Sequence, residues 1–324
     1  MKTKSRVEEL FDAGVKLSVE EHAIQEKKKV GILRAGNTGI SAINAKGEVE
    51  VAGKCHRQTM LRLLGIAAED ADYSRELMFD SGRGNEDLWY SVLSRSYKDG
   101  VILREEEVPI QWMTQNGTPV SGRPDLVLCD HDKKPVLGLE LKLICSFWTA
   151  RAILLGEPKT MHLMQAAHYS WKLGVPFELW YTSRVDWPVM GWAAKHLPKP
   201  GEPGSEHIEV DDKGEPRKVV PFKLGFVLTT DEEGFIHYSV VGRESEQATK
   251  SIVSIQRIQD YYEFVAGMVE KKTLGPRPQN LGPTGEKVSW SFCSYCPLKS
   301  TCDTHESDFD TWLQAAKGVV PKAE

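Results

Sequence analysis

The 324-residue chain contains no apolar run approaching the roughly 20 residues that span a bilayer. Its first residues, Met1-Lys-Thr-Lys-Ser-Arg6, lead into an acidic amphipathic stretch without the apolar core of a signal peptide. The expectation is a cytoplasmic protein with no membrane partner. An excess of positive charge is also missing: 41 Lys and Arg stand against 46 Asp and Glu, a net charge of −5. No chain-wide field therefore draws it to nucleic acid, which argues against a protein that coats DNA. A local basic groove stays possible, because an acidic centre and outer surface can dominate the sum. Internal repeats and low-complexity tracts are absent.

Cysteine is scarce, and its six positions are uneven: Cys55, Cys129 and Cys145, then Cys293, Cys296 and Cys302. In a reducing compartment a disulfide framework is not expected, so clustered cysteines read first as metal ligands. Cys129 and Cys145 lie in apolar, strand-like sequence and read as core residues. At 40% hydrophobic and 27% charged, the composition is that of a soluble globular protein, long enough for one large domain or two ordinary ones.

Charge and apolar spacing predict a helix over 5–29, then small strands over 30–53 with Gly-Asn and Lys-Gly turns. Helices follow over 57–64, stopped by Gly65, and over 85–97, stopped by Gly100. The pattern changes to strands over 101–110, 122–129 and 136–144, with a helix over 158–173 and a strand over 176–184. Residues 197–218, rich in Pro, Gly and charge, read as a surface insertion. A hairpin around Asp231–Gly234 and a helix over 248–272 precede the cysteine-rich tail.

The most informative stretch runs from Gly122 through Pro124-Asp125 to Glu140-Leu-Lys142. A hairpin whose turn is centred between Asp132 and Lys133 sets Asp125 opposite Glu140, with Lys142 on the face of Glu140. The other face then collects Leu126, Leu128, Leu137, Leu139, Leu141 and Leu143. Like charges directly opposed on a sheet are destabilising, so the two carboxylates need a cation between them. Lys142 can neutralise one charge, and a hard ion such as Mg²⁺ or Mn²⁺ suits the remaining oxygen-rich site. The plainer alternative is an exposed strand face on which Lys142 pairs with Glu140 or Asp125.

Pro124-Asp125 followed by Glu140-Leu-Lys142 resembles the signature of the PD-(D/E)xK nucleases. Gln165 and Tyr169, within Gln-Ala-Ala-His-Tyr, resemble the Q-x-x-x-Y motif of the RecB-like branch, and their spacing puts both on one helical face. The resemblance implies a restriction-endonuclease-like α/β core, a mixed central sheet flanked by helices, in which Asp125, Glu140, Lys142, Gln165 and Tyr169 serve catalysis. Glu86 stands where that branch usually carries a histidine ligand, which implies Glu86, Asp125 and Glu140 as the metal ligands. Asp87 is the alternative, and Glu86 can instead simply favour the start of its helix.

Cys293, Cys296 and Cys302 form a C-x₂-C-x₅-C cluster, strong evidence of a metal site. Cys55 begins Cys-His-Arg-Gln-Thr-Met-Leu-Arg-Leu-Leu-Gly65, similar to the element that supplies the first ligand of a [4Fe–4S] cluster in RecB-like nucleases. The resemblance implies that Cys55, Cys293, Cys296 and Cys302 hold such a cluster. A Zn²⁺ site completed by His305 is the alternative.

Arg57, Arg62 and Arg83 lie beside the expected ligands, Arg151 and Lys159 follow the catalytic strand, and Trp148 is placed to stack on an unpaired base. Together these readings divide the chain into an extension over 1–52, a nuclease core over 53–290 and a cluster-bearing tail over 291–324 that packs with Cys55. The expected activity is metal-dependent hydrolysis of DNA, exonucleolytic at single-stranded ends, in recombination, repair or phage DNA metabolism. No helicase motif is present, so unwinding would come from a partner helicase or recombinase. Two alternatives are a hydrolase of small phosphoesters and a non-catalytic DNA-binding subunit of a recombination or CRISPR adaptation complex.

Overall fold

Apolar alternation over residues 126–143 resolves into an antiparallel hairpin, and the remaining elements build outward from it. The computed structural model describes residues 13–21, 31–66, 73–189, 191–243, 247–286, 296, 298–305 and 308–319. Residues 13–21 are helical (α1), and are followed by β1 (Leu33–Arg34), β2 (Gly39–Ile43), β3 (Val49–Gly53), α2 (His56–Leu63) and α3 (Tyr73–Ser96). Next come β4 (Gly100–Arg104), β5 (Ile110–Met113), β6 (Pro119–Gly122), β7 (Leu126–Asp130), β8 (Pro135–Leu143), α4 (Phe147–Leu154), α5 (Thr160–Leu173) and β9 (Phe177–Ser183). The chain continues through β10 (Trp187–Pro188), α6 (Gly191–Ala194), β11 (Ile208–Val210), β12 (Pro216–Val219), β13 (Phe222–Thr230), β14 (Phe235–Val240) and β15 (Thr249–Ser254). It closes with α7 (Ile255–Lys271), α8 (Lys299–Thr304) and α9 (Phe309–Val319).

The protein is mixed α/β, as expected, with a seven-stranded sheet in the order β15-β14-β13-β9-β8-β7-β4. β8 and β9 are parallel, and the other neighbours in this sheet are antiparallel. Leu126 pairs with Leu139, Val127 with Gly138 and Leu128 with Leu137, which is the predicted register. It slips only at Cys129, which pairs with Pro135 and leaves Val136 as the extra residue. The turn is fixed by Asp130, whose Oδ1 accepts from the amides of Asp132 and Lys134, and Lys133 takes a left-handed φ of 61°.

Strand alternation then separates two cores. Leu126, Leu128, Leu137, Leu139 and Leu141 pack with Trp89, Tyr90 and Leu93 of α3. Of the predicted leucine face only Leu143 lies outside that cluster. The opposite face carries α5, with α7 packed against it. Buried His168 of α5 ties these layers together: its Nε2 accepts from Trp112 Nε1 at 3.0 Å, and its Nδ1 lies 3.3 Å from the Tyr262 hydroxyl of α7. Burial pushes this imidazole down to about 3, which suits a neutral ring that accepts on Nε2.

Several predicted boundaries move. The helix expected over 85–97 starts at Tyr73, because Gly82 and Gly84 continue the helix while Arg83 bridges Glu76 and Asp80 along it. The strand expected over 101–110 stops at Arg104, and an unpredicted hairpin, β5–β6, follows. The helix expected over 248–272 is the strand β15 followed by α7, whose N-cap Ser254 accepts from the Arg257 amide. Helix α4 was not predicted; Ser146 caps it by accepting from the Thr149 amide. Within the segment read as a surface insertion, β11 and β12 form a small sheet with β10. Of the helix expected over 5–29, residues 13–21 are described and helical. Residues 33–53 join the core: β1 pairs in parallel with β6, and β2 packs on α7. Among the described residues no helix is long and apolar enough to cross a membrane.

Candidate carboxylate centre and cysteine cluster

The β7–β8 ladder reaches Leu126 and Leu139, and Asp125 stands one residue beyond it. Its Oδ2 accepts from the Leu141 amide at 2.6 Å, so the side chain takes a β8 donor where backbone pairing ends. Alternation places Glu140 and Lys142 on the face turned away from the leucines. The Lys142 ammonium contacts Glu140 Oε1 and lies 4.0 Å from Asp125 Oδ2. Glu140 is fully buried (0% exposed), and its Oε2 has no hydrogen-bond partner among the described residues. An ionised carboxylate oxygen in that state is strongly disfavoured.

Glu86 adds a third carboxylate from α3. Burial pushes it up to about 8, with the charges of Asp125 and Glu105 adding to the effect and Lys142 opposing it. Glu140 is likewise pushed up to about 8, first by burial and then by Asp125. Burial also raises Asp125, against the pull of Lys142 and the Leu141 amide. Burial works against the Lys142 charge, yet Glu140 and Asp125 hold it well above the ordinary lysine range. Three carboxylates thus face one ammonium, and burial favours the protonated form of each of them. Asp87, the alternative to Glu86, points elsewhere: it is 60% exposed and pairs with Arg104.

Helix α5 brings Gln165 and Tyr169 to this face. Gln165 Nε2 donates to the Tyr169 hydroxyl at 3.2 Å, and burial with the Glu140 charge holds Tyr169 well above the ordinary phenol range. A Cβ on Gly122 would lie 2.5 Å from the Tyr169 ring, so glycine there lets the ring close over β6.

Two residues that the sequence reading missed complete the surroundings. His162 lies one turn before Gln165 on α5, and its Nδ1 is 2.9 Å from the hydroxyl of Tyr181, the β9 residue paired with Lys142. Burial, reinforced by the charges of Lys142 and Lys159, holds His162 well below the ordinary histidine range, so the ring is neutral. The signal was available: extending the Gln165–Tyr169 face back by one helical turn reaches His162. Lys142, Cys145, Lys159, His162 and Tyr181 line a cavity of about 140 Å³. It shares Ser146, Thr149 and Lys159 with a larger groove of about 450 Å³ that reaches Trp148.

The cysteine tail docks on α2. Gln58 Nε2 donates to Cys296 Sγ at 3.3 Å across 238 residues of sequence, and Trp312 Nε1 donates to Cys302 Sγ at the same distance. Burial pushes the Cys55 thiol up to about 11; the amides of Gln58 and Arg57 pull it down, and the Cys296 and Cys302 sulfurs lie near enough to raise it further. Cys293 lies outside the described residues. His305 is the C-cap of α8. Among the described residues no group of three His, Cys, Asp or Glu side chains is arranged to hold a metal ion. In the carboxylate centre the ammonium of Lys142 is the cation that Glu140 and Asp125 hold.

The expected DNA contacts divide. Arg57 is corrected: it is 1% exposed, and its guanidinium donates to the carbonyls of Leu274 and Gly275, so it is a buried clip between α2 and the segment after α7. Arg62 is half-buried in the last turn of α2. Arg83 is exposed but already faces Glu76 and Asp80. Arg151 donates from Nε to the His196 carbonyl at 2.8 Å, and Trp148 is 51% exposed. Cys129 is buried as expected, whereas Cys145 is exposed and lines the smaller cavity, because the strand ends before it.

No family model, curated protein or solved structure matches the chain.

Proposed function

We propose that this protein hydrolyses DNA phosphodiesters with a divalent ion held by Glu86, Asp125 and Glu140, as a nuclease of the PD-(D/E)xK kind in its RecB-like branch. One observation carries the reading: Glu140 is fully buried, touches Lys142 through one oxygen and, among the described residues, leaves the other without a partner, beside two further carboxylates. A fold gains no stability from such a group, since replacing buried ion pairs by apolar residues is often neutral or stabilising. An oxygen-only donor set with excess negative charge suits Mg²⁺ or Mn²⁺.

When bound, such an ion supplies Lewis acidity at a phosphoryl oxygen and a water of lowered pKa. The chain's own residues do the rest. Lys142, released from Glu140, sets a fixed positive charge where charge develops on the phosphate. Tyr169 stays a neutral phenol and, with Gln165, presents hydrogen-bonding groups to substrate or to Lys142. Neutral His162 and Tyr181 wall the cavity beside Lys142. The setting we propose is the cytoplasm, with duplex opening supplied by a separate helicase or recombinase.

The test is incubation of anaerobically purified protein with end-labelled single-stranded and duplex DNA, with and without Mn²⁺ or Mg²⁺, beside Glu140→Ala. Metal-dependent cleavage should fall on the order of 10³-fold in the variant, the scale of several kcal/mol of lost charge stabilisation. Intact DNA with wild type across all metals would remove the catalytic reading and leave the DNA-binding one.

For the tail we propose a [4Fe–4S] cluster on Cys55, Cys293, Cys296 and Cys302. Supporting it are the docking of Cys296 and Cys302 near Cys55 and the N–H donors from Gln58 and Trp312 to their sulfurs. Iron–thiolate bonds there would tie the tail to α2 and close a long loop. Anaerobically purified protein should carry about four iron atoms per chain, falling sharply in Cys55→Ser. Zinc in place of iron would favour the site completed by His305.

A further inference from the structure

We infer that Trp148 and Trp192 form a stacking platform for unpaired nucleobases at the outer end of the groove that leads to Lys142, and so select single-stranded DNA. This rests on the nuclease reading of that groove. Nothing in the sequence pattern singles out Trp192, and only the fold brings it to Trp148.

Both indoles are unusually open for so large an apolar group. Trp148 is 51% exposed and Trp192 56%, although their ring centroids are 5.3 Å apart. The rings tilt by 36°, so they form an open wedge instead of covering each other. The wedge is held in place before any ligand arrives. Trp148 packs on Phe147 at the start of α4, and Arg151 on that helix donates to the His196 carbonyl just beyond α6, which carries Trp192. Such pre-ordering lowers the entropy lost on binding.

Position and charge choose the ligand. Trp148 lines the larger groove, which shares Ser146, Thr149 and Lys159 with the cavity containing Lys142. A strand whose phosphate lies at Lys142 can therefore run past Lys159 to the indoles. Exposed Lys195 stands three residues after Trp192, just past the end of α6, and Lys159 lines the groove itself. Aromatic faces beside cations are the chemistry of single-strand binding. In a duplex the base faces are already stacked on one another, so the platform finds no free face there.

The test measures anisotropy of an end-labelled oligothymidine and of a labelled duplex hairpin. Each is titrated in chelator with the full chain and with Trp148→Ala, Trp192→Ala and Trp148→Phe. Each alanine variant should weaken oligothymidine binding by about tenfold, within the ~1–3 kcal/mol per stacked base, while Trp148→Phe retains most of it. Binding to the hairpin should change by less than about twofold, so the single-strand preference falls. Unchanged preference in both alanine variants overturns the platform. Loss of self-association in Trp192→Ala, with oligothymidine binding intact, overturns it too and makes the pair a protein interface. The catalytic reading fails separately: wild type that binds oligothymidine through the pair yet never cleaves it supports the platform and removes the nuclease.

Discussion

The two faces of β8 follow opposite rules. One presents Leu137, Leu139 and Leu141 to α3, where each finds apolar partners and leaves no polar atom to satisfy. The other presents Glu140 and Lys142, with Glu140 buried as completely as any core leucine but, among the described residues, only partly hydrogen-bonded. Adjacent residues of one strand thus divide the work: the leucine face supplies the burial that holds the hairpin, and the hairpin holds a charge arrangement that would not assemble for its own stability. Strained or unsatisfied groups persist where the surroundings over-determine them, and they cluster at functional sites.

The largest effect on stability should come from the leucine face. Leu139 is 3% exposed and faces Leu126 across the ladder. Leu139→Ala should cost about 2–5 kcal/mol in denaturant unfolding, as buried leucine truncations do. Metal-dependent cleavage per folded molecule should stay close to wild type, since the carboxylate face keeps its register. A loss of cleavage larger than the loss of folded protein would break the division of labour between the faces.

How much of this was legible in the sequence depended on how local the cause was. The β7–β8 register follows from period-two alternation around one turn, so Asp125, Glu140 and Lys142 were correctly brought together. The bulge at Val136 escaped because turn geometry, not hydrophobicity, sets it. The helix expected from 85 starts at Tyr73 instead, since glycine only weakens a helix and α3 runs through Gly82 and Gly84. Arg57 looked like a surface cation, but its partners are carbonyls at Leu274 and Gly275, distant in sequence. Trp192 was hidden for a similar reason: its neighbour Trp148 lies on the far side of α5 and β9 in the sequence. Spacing finds neighbours along an element; it does not find those made by packing.

A smaller and more diagnostic effect separates the faces by pH. In the metal-free protein Glu140 is raised from 4.5 to about 8, first by burial and then by Asp125, so the folded chain keeps a proton that the unfolded chain has released. Within that window Glu140 binds more protons in the folded state, and its contribution to stability falls as pH rises, from full below about 4.5 to none above about 8. Glu86 and Asp125 shift in the same direction and deepen the decline. Lys142, held above its ordinary value, contributes a stability that is fully present throughout this range. Below about pH 6.5 the buried histidines His56, His162 and His168, held neutral in the fold, work in the opposite direction. Thermal unfolding in chelator should therefore show a midpoint that drops between about pH 7 and 8. Glu140→Gln should flatten the drop and, near pH 8, unfold at a higher temperature than wild type. Leu139→Ala should lower the midpoint at every pH and leave the slope unchanged. Adding Mn²⁺ should recover most of the loss in wild type and little in Glu140→Gln, because the ion replaces the missing positive charge only where three carboxylates remain to bind it. A Glu140→Gln protein as destabilised as Leu139→Ala at every pH would mean that the polar face holds the fold together as the leucines do, and the contrast between the two faces would be lost.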